Sequence, residues 1–171
     1  LGLPRFRDTL ARFGIGCING LEIFAALDGA EVHLLAYGFD PEEPALRAFL
    51  PTAAASPDHG PAALVGSLKD SWSRIRRKDA PGDTGRPETE ILPSSADAIA
   101  AVHRAGGRVF LAHPLSLGLD LAGLEAAVVA LKAQGLDGIE ALYAPYSSAS
   151  RNFLSQLAET HGLLIAAEAA A

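Results

Sequence analysis

The sequence predicts an α/β protein, a fold class in which strands and helices alternate along the chain. Three observations support this class. An Asp-Gly turn separates two apolar runs early in the chain, short apolar runs alternate with helical periods after Pro93, and Gly- and Pro-containing turns divide these segments. Strands that alternate with helices through short loops form right-handed βαβ units, so we expect a parallel sheet or a barrel in the second half.

Size and composition indicate a soluble globular protein. The 171 residues are enough for one domain with a sizeable core, with 49% hydrophobic and 20% charged residues. The formal net charge of −6 does not favour non-specific binding to nucleic acid. No apolar run is long enough to cross a bilayer and no signal-peptide pattern opens the chain, so we expect a cytoplasmic protein.

The single cysteine, Cys17, excludes an internal disulfide framework and fits a reducing compartment. Since Ile15 and Ile18 flank it closely, we expect its thiol to be buried and inert. The chain contains no methionine, even at position 1. We therefore expect the sequence to be a piece of a longer protein.

The first predicted element is a helix from Pro4 to Phe13. Proline suits the first turn of a helix, and Gly14 is a suitable residue to end it. Phe6, Leu10 and Phe13 fall on one face of this helix.

The second predicted element is a β-hairpin with strands Leu21–Leu27 and Ala30–Tyr37. Asp28-Gly29 between them is the sequence preferred for a two-residue type I′ turn. Side chains alternate between the two faces of a strand, and the loop length therefore decides which residues of the two strands share a face.

A two-residue loop gives the hairpin one apolar face and places Glu22 and His33 together on the other face. These residues are then diagonal neighbours, roughly 7–8 Å apart at the backbone, and can reach the same small ion cluster. Burying an unpaired carboxylate costs several kcal/mol, so Glu22 requires a cation, a salt bridge or water.

Residues 41–92 are predicted to form a mainly helical insertion that caps a site. Pro, Ala and charged residues become more frequent there, and two helices are expected at Glu43–Leu50 and Ala62–Lys78. The basic run Arg74–Lys78 is interpreted as a solvated helix face, with an anion-binding edge as the alternative.

Regular alternation of helices and strands begins after Pro93. Ser94 with Asp97 three residues later resembles a capping box at the start of the first helix. The predicted helices are Ser94–Ala105, Asp120–Gln134 and Ser148–Thr160, and the predicted strands are Arg108–Ala112, Gly138–Tyr143 and Leu163–Ala167.

Candidate functional residues lie at the carboxyl ends of these strands, where parallel α/β folds place their sites. His113 directly follows a strand, and Pro114 biases its backbone away from the helical region, so we expect His113 to be a strand exit. A single histidine at a strand end is more often structural than a ligand. Together with Glu22 and His33, however, it makes a His, His, Glu set that suits Mn, Fe or Zn.

The other histidines are not predicted to belong to the site. His59 and His103 are expected at the surface, and His161 in the last turn of a helix, where a cation is favoured. The sequence lacks a P-loop, a complete dinucleotide fingerprint, a G-x-S-x-G nucleophile elbow and clustered cysteine ligands.

Five segments taken together resemble the PHP (polymerase and histidinol phosphatase) domain family. They are NGLEI, then VHLLAYGFD with its histidine eleven residues after the glutamate, AIAAVHRAGGRVFLAHP, GLDGIEALY and LAETHGLL. Within this family the sequence is most similar to the bacterial metal-dependent phosphoesterases, which act on nucleoside bisphosphates and short RNA ends. The resemblance covers roughly Leu3–Asp40 and Pro93–Ala167.

The resemblance implies a distorted (β/α)7 barrel, incomplete at both termini, formed by residues 1–40 and 93–171. It also implies two or three divalent metal ions, with Glu22 as a bridging carboxylate, His33 as a ligand, and His113 as a ligand or phosphate contact. Such ions would activate a water to attack phosphorus. Arg86 would contact the substrate phosphate, and Glu140 would at most support the site from outside.

Several motifs of the family are missing from the sequence. An opening H-x-H, an S-D-G, a T-D-H and a closing S-D-x-H do not occur, and Tyr146 stands where a histidine is common. Most of the family's metal ligands are therefore absent from this chain.

We therefore expect a metal-dependent phosphoesterase that hydrolyses phosphate monoesters or short phosphodiesters of nucleotides, such as nucleoside 3′,5′-bisphosphates or short RNA ends. Its expected partner is this small phosphorylated substrate, with neither a membrane nor double-stranded DNA. One alternative is a truncated or degenerate module with a structural or partner-binding role and no catalysis. Another is an unrelated α/β metal hydrolase.

Overall fold

The computed structural model describes residues 3–53 and 92–167. Most of the predicted insertion lies outside the described residues, including the helix Ala62–Lys78 with its basic run, His59 and Arg86. The predictions for that segment therefore stay predictions.

The described residues form helices and strands in the predicted order. The elements are α1 (Leu3–Arg12), β1 (Gly20–Leu27), β2 (Ala30–Tyr37), α2 (Pro44–Ala53), α3 (Ser95–Arg104), β3 (Arg108–Leu111), a 3₁₀ helix (Pro114–Leu117), α4 (Leu121–Ala133), β4 (Gly138–Leu142), α5 (Ser148–Thr160) and β5 (Leu164–Ala167). Each helix and strand predicted within these ranges occurs, and the 3₁₀ helix is an addition.

Three helices begin where the sequence predicted, because a side chain accepts a hydrogen bond from the free N–H groups of the first turn. Ser94 accepts from the amide of Asp97 at the start of α3, Asp120 caps α4, and Ser147 caps α5. The capping interaction predicted for Ser94 and Asp97 is thereby confirmed.

The five strands form one mixed sheet in the order β1-β2-β3-β4-β5. β1 and β2 are antiparallel, as are β2 and β3, whereas β3, β4 and β5 run parallel. The expected parallel arrangement therefore holds for the second half of the chain. Among the described residues the sheet does not close on itself, so the (β/α)7 barrel stays a prediction.

The hairpin has the predicted turn and register. Asp28 and Gly29 both have positive φ angles, 50° and 85°, as a type I′ turn requires. Leu27 pairs with Ala30, and Phe24 with His33. Glu22 and His33 therefore share one face of the sheet.

The opposite face of the sheet packs against the helices to form the core. Burial of each Leu, Ile or Val side chain there stabilises the fold by about 1.5–3 kcal/mol. The buried strand residues include Ile23, Val32, Leu34, Val109, Leu111 and Ile139, and the helices contribute Ile99, Val102, Leu124, Val128, Leu131, Leu154 and Leu157. The site therefore lies on the face that this core leaves free.

Two carboxylates of the β4 region bind backbone amides at the two ends of β3. The amide of Val109 donates to Oδ2 of Asp137 (2.8 Å), and the amide of His113 donates to Oε2 of Glu140 (2.7 Å). Hydrogen bonds to ionised carboxylates are stronger than those between neutral groups. These two bonds supplement the short β3–β4 ladder.

Gly138 lies where three strands approach closely. A Cβ atom at this position would come within 2.5 Å of the Phe110 ring and of the Leu164 carbonyl oxygen. Because one of these neighbours is backbone, the space cannot be made by rotating a side chain. Glycine is therefore required here for close approach of the strands.

The N-terminal segment differs from its prediction. Phe6 and Phe13, which share the apolar face of α1, are 57% and 75% exposed, and Cys17 is only half-buried. The prediction of a buried thiol at Cys17 is therefore wrong, because the neighbouring Ile15 and Ile18 are themselves exposed. Apolar spacing along a helix identifies a face but not the partner that would cover it.

Among the helices that the structure describes, none combines the length and hydrophobicity needed to span a bilayer.

Candidate metal centre

Three side chains predicted as metal ligands converge on one point. Nδ1 of His33 lies 3.0 Å from Oε1 of Glu22 and 3.2 Å from Nε2 of His113, and the last two atoms are 3.3 Å apart. The three residues come from β1, β2 and the segment after β3. The structure therefore brings together residues that are up to 91 positions apart in the sequence.

Strand register explains this convergence. The hairpin pairs Glu22 with Leu35, one diagonal step from the pair formed by Phe24 and His33. The end of β3 then lies beside His33, because the amide of Ala112 donates to the His33 carbonyl oxygen (2.9 Å). His113 follows immediately, so its ring enters the space next to the two hairpin residues.

The spacing of the three donor atoms fits a divalent metal ion. Two donors bound about 2.0–2.2 Å from one ion lie about 3.0 Å apart at an octahedral angle and about 3.4 Å apart at a tetrahedral angle. The observed separations are 3.0, 3.2 and 3.3 Å. Two imidazole nitrogens and a carboxylate oxygen also make a donor set that suits Mn, Fe or Zn.

The outer nitrogen of each imidazole also has a partner. Nε2 of His33 lies 2.9 Å from Oε1 of Glu31, and Nδ1 of His113 lies 2.6 Å from Oγ of Ser116. An acceptor on the outer nitrogen favours the tautomer whose inner nitrogen carries a lone pair. Both rings are therefore oriented as metal-binding histidines are.

Sequence reasoning did not assign Glu31 or Ser116 to the site. Glu31 lies two residues before His33, so strand alternation places both on one face, and this signal was available. Ser116 is brought back to His113 by the 3₁₀ helix, which the sequence did not predict.

The charges within the cluster shift the acidity of two groups. Hydrogen bonds from His113 and His33 hold the pKa of Glu22 at about 2, although burial opposes this change. Burial lowers the pKa of His33, but the hydrogen bonds to Glu22 and Glu31 outweigh it and raise the pKa above 6.5. The cluster therefore stabilises a positive charge placed between its carboxylates.

The backbone of His113 has an unusual conformation. Its φ and ψ angles are 28° and 60°, in the left-handed region that non-glycine residues rarely adopt. Pro114 disfavours only the right-handed helical region, so a proline neighbour does not specify the extended alternative. The prediction that His113 leaves the strand outside the right-handed helical region is therefore confirmed.

Two tyrosines lie beside the metal centre. The Tyr143 ring is 6.2 Å from the His113 ring and 5.0 Å from the Tyr146 ring, measured between centroids. The Tyr146 hydroxyl accepts a hydrogen bond from the Leu115 amide, and burial raises the pKa of Tyr146 to about 12. Tyr146 therefore supports the 3₁₀ helix and is not a member of the donor cluster.

Other features lie away from the cluster. Nε2 of His103 is 2.8 Å from Asp137, and Nε2 of His161 is 3.0 Å from Glu125. A cavity of about 910 Å³ beside α1 is lined by Arg7, Cys17, Asp40 and other residues, but by none of the three candidate ligands. The candidate site is therefore identified by the geometry of its donor atoms and not by the size of a cavity.

The fold and the donor cluster together define a mixed α/β protein with a candidate divalent-metal centre on one face of its sheet. The chain matches no family model. It is similar to the 3′,5′-nucleoside bisphosphate phosphatase of Chromobacterium violaceum, with 27% identity across 95% of this chain and 70% of that protein. This name agrees with the predicted class of metal-dependent nucleotide phosphoesterases.

Two solved structures resemble the fold. An amidohydrolase from Chromobacterium violaceum, solved with bound sulfate and no metal, has a TM-score of 0.73 and 24% identity over 98% of this chain and 72% of its own. A candidate metal-dependent phosphoesterase from Bifidobacterium adolescentis has a TM-score of 0.66 and 23% identity over 96% of this chain and 71% of its own. At this identity they support the fold.

Proposed function

We propose that this chain is part of a PHP-type metal-dependent phosphoesterase that hydrolyses phosphate monoesters or short phosphodiesters of nucleotides. The observation that carries the proposal is the convergence of Glu22, His33 and His113, with donor atoms 3.0–3.3 Å apart. The similarity to a 3′,5′-nucleoside bisphosphate phosphatase supports nucleotides as the substrate class. Nucleoside 3′,5′-bisphosphates and short RNA ends are the substrates proposed.

Glu22, His33 and His113 would hold one of two or three divalent ions, with Mn, Fe or Zn as the candidates. When bound, such ions lower the pKa of a coordinated water and neutralise charge on phosphate oxygens. Glu31 and Ser116 would accept from the outer nitrogens of the two imidazoles when an ion is bound, which leaves the inner nitrogens free to bind it.

The Glu22 carboxylate gives the site a fixed negative charge at neutral pH, because its pKa is about 2. In the metal-free protein, a proton on His33 would balance this charge and that of Glu31, because the hydrogen bonds to both carboxylates raise the pKa of His33. A divalent ion would replace that proton, so metal binding and proton release are coupled.

The remaining parts of the proposal concern the wider architecture. The mixed sheet, with its site at the end of β3, supports the incomplete (β/α)7 barrel built from residues 1–40 and 93–171. The insertion 41–92 would cap the site, and Arg86 within it would contact the substrate phosphate. A cytoplasmic location is part of the same proposal, supported by the single cysteine.

Metal reconstitution with a substrate screen tests this function. The protein is stripped with a chelator, reloaded separately with Mn²⁺, Fe²⁺ or Zn²⁺, and assayed on a nucleoside 3′,5′-bisphosphate, a short RNA and a simple phosphate monoester. We expect phosphate release that requires metal and is lost in Glu22→Gln and His33→Ala. His103→Ala is the control, because His103 pairs with Asp137 away from the cluster.

Full activity in both ligand variants would contradict the site. Metal binding without turnover of any substrate would favour a non-catalytic module instead.

A further inference from the structure

We propose that Glu140 is a positioning residue, whose carboxylate holds the His113 amide and thereby aims the imidazole at the metal centre. This inference rests on the proposed metal site. It concerns a side chain that is not one of the three residues of the donor cluster, Glu22, His33 and His113.

The backbone of His113 requires an external support. Its φ of 28° is unfavourable for a residue with a Cβ atom, and such conformations persist only where the surroundings determine them. The amide of His113 points at Oε2 of Glu140, with a distance of 2.7 Å between the nitrogen and the oxygen. This short bond to a carboxylate oxygen can hold the unfavourable conformation.

Glu140 is itself unusual, since its side chain is only 4% exposed. A buried carboxylate is unfavourable unless hydrogen bonds or charges compensate it. β4 is buried over Gly138–Ala141, and an apolar residue would fit such a strand with no desolvation penalty. The hydrogen bond from the His113 amide compensates part of this penalty and assigns the carboxylate a specific role in holding that amide.

Besides the contacts of its Nε2 with Glu22 and His33, His113 bonds to Ser116 and to Glu140. Its carbonyl oxygen accepts from the Ser116 amide (2.9 Å), and its Nδ1 lies 2.6 Å from the Ser116 hydroxyl. Both of these bonds stay within the same turn. The bond from the His113 amide to Glu140, by contrast, ties the backbone of this turn to β4.

A matched carboxylate, that of Asp137, lies directly before β4. Asp137 accepts from the Val109 amide at 2.8 Å and therefore joins the same two strands in the same way, but it is not bonded to a residue of the donor cluster in this way. Asp137→Asn measures how much stability is lost when a carboxylate bond between β3 and β4 is weakened and the His113 ring is left in place. It is therefore the control for any general effect on stability.

Two conservative variants distinguish the effect of the position of the Glu140 oxygen from the effect of the Glu140 charge. Glu140→Gln keeps the length of the side chain and a carbonyl oxygen that can accept from His113, but it removes the charge. Glu140→Asp keeps the charge, but its carboxylate is one methylene too short to reach the amide. Affinity for Mn²⁺ is measured by calorimetry on the chelator-stripped protein, and His113 amide exchange by NMR without metal.

We expect Glu140→Asp to bind Mn²⁺ about tenfold more weakly, the lower end of the range for partners that orient ligands. The His113 amide should exchange faster in this variant even without metal. Glu140→Gln should stay within a few-fold of the wild type in both measurements, and Asp137→Asn should leave Mn²⁺ affinity unchanged.

Two results would overturn the inference. Weak binding in Glu140→Gln with normal binding in Glu140→Asp would show that the charge acts and not the position. Equal losses in Glu140→Asp and Asp137→Asn would show a general loss of stability. If the wild-type protein binds no Mn²⁺, Fe²⁺ or Zn²⁺, the proposed function fails first, and this outcome is distinct from both.

Discussion

Oε1 of Glu22 lies 3.0 Å from Nδ1 of His33, although the strand register pairs neither residue with the other. The two are diagonal neighbours whose side chains meet on one face because the Asp28-Gly29 turn contributes two residues to the loop. The length of this loop therefore determines whether Glu22 and His33 meet in the candidate metal centre.

Inserting one alanine between Asp28 and Gly29 tests this control. A one-residue shift in pairing would move either Glu22 or His33 to the apolar face, so we expect loss of Mn²⁺ binding and a lower melting temperature. Calorimetric titration and thermal unfolding measure the two effects. The control Gly29→Asn keeps the loop length and a residue that tolerates positive φ, and it should retain Mn²⁺ binding. Unchanged metal affinity in the insertion variant would contradict the assigned register.

Removing the outer partner of His33 should weaken metal binding without abolishing it. Glu31→Gln replaces a carboxylate that lies 2.9 Å from Nε2 with a neutral amide, so we expect about a tenfold lower Mn²⁺ affinity. Glu125→Gln is the matched control, because Glu125 lies 3.0 Å from Nε2 of His161, away from the cluster. Similar losses in both variants would show that the effect is not specific to the site.

Stability of the metal-free protein should pass through a maximum in mildly acidic solution. The pKa of Glu22 falls from 4.5 to about 2 on folding, so its contribution is present above 4.5 and is lost as the pH drops towards 2. The pKa of His33 is raised from 6.5, so its contribution is present below 6.5 and is lost as the pH rises through the folded value.

Melting temperatures measured in chelator across this pH range check the expectation. Glu22→Gln should flatten both limbs of the profile, because Glu22 contributes to both shifts. A wild-type melting temperature that rises steadily from pH 5 to pH 9 would contradict it.

Gly138→Ala should destabilise the protein strongly. The added Cβ would lie 2.5 Å from the Leu164 carbonyl oxygen and from the Phe110 ring, so strands must separate at a cost of about 1–3 kcal/mol or more. Gly16→Ala is the control, because a Cβ there meets nothing within 4 Å. Chemical denaturation of both variants gives the difference in unfolding free energy, and equal values would refute the close approach of the strands.

Local chemistry in the sequence was enough to predict most of the described fold. Asp28-Gly29 specified the hairpin register, and Ser94 and Asp120 specified where two helices begin. The cluster of Glu22, His33 and His113 was also predictable, because register and strand ends depend on short-range patterns.

Features that depend on tertiary surroundings were not predictable. Pro114 excludes one backbone region for His113 but does not choose between the others, and that choice involves Glu140 on another strand. Exposure of Phe13 and Cys17 likewise depends on which element covers the segment, which spacing along a helix does not specify. The role of Arg86 stays a prediction.

The paired carboxylates Asp137 and Glu140 also restrict the alignment of two parallel strands. β4 is buried on both faces over Gly138–Ala141, so alternation of polar and apolar residues specifies its register only weakly. A slide of two residues, about 6.6 Å, would preserve every side chain's face yet break the bonds to Val109 and His113 together. The same two bonds therefore disfavour a misaligned sheet. Selecting the correct alignment during folding also selects the position of His113, a candidate metal ligand.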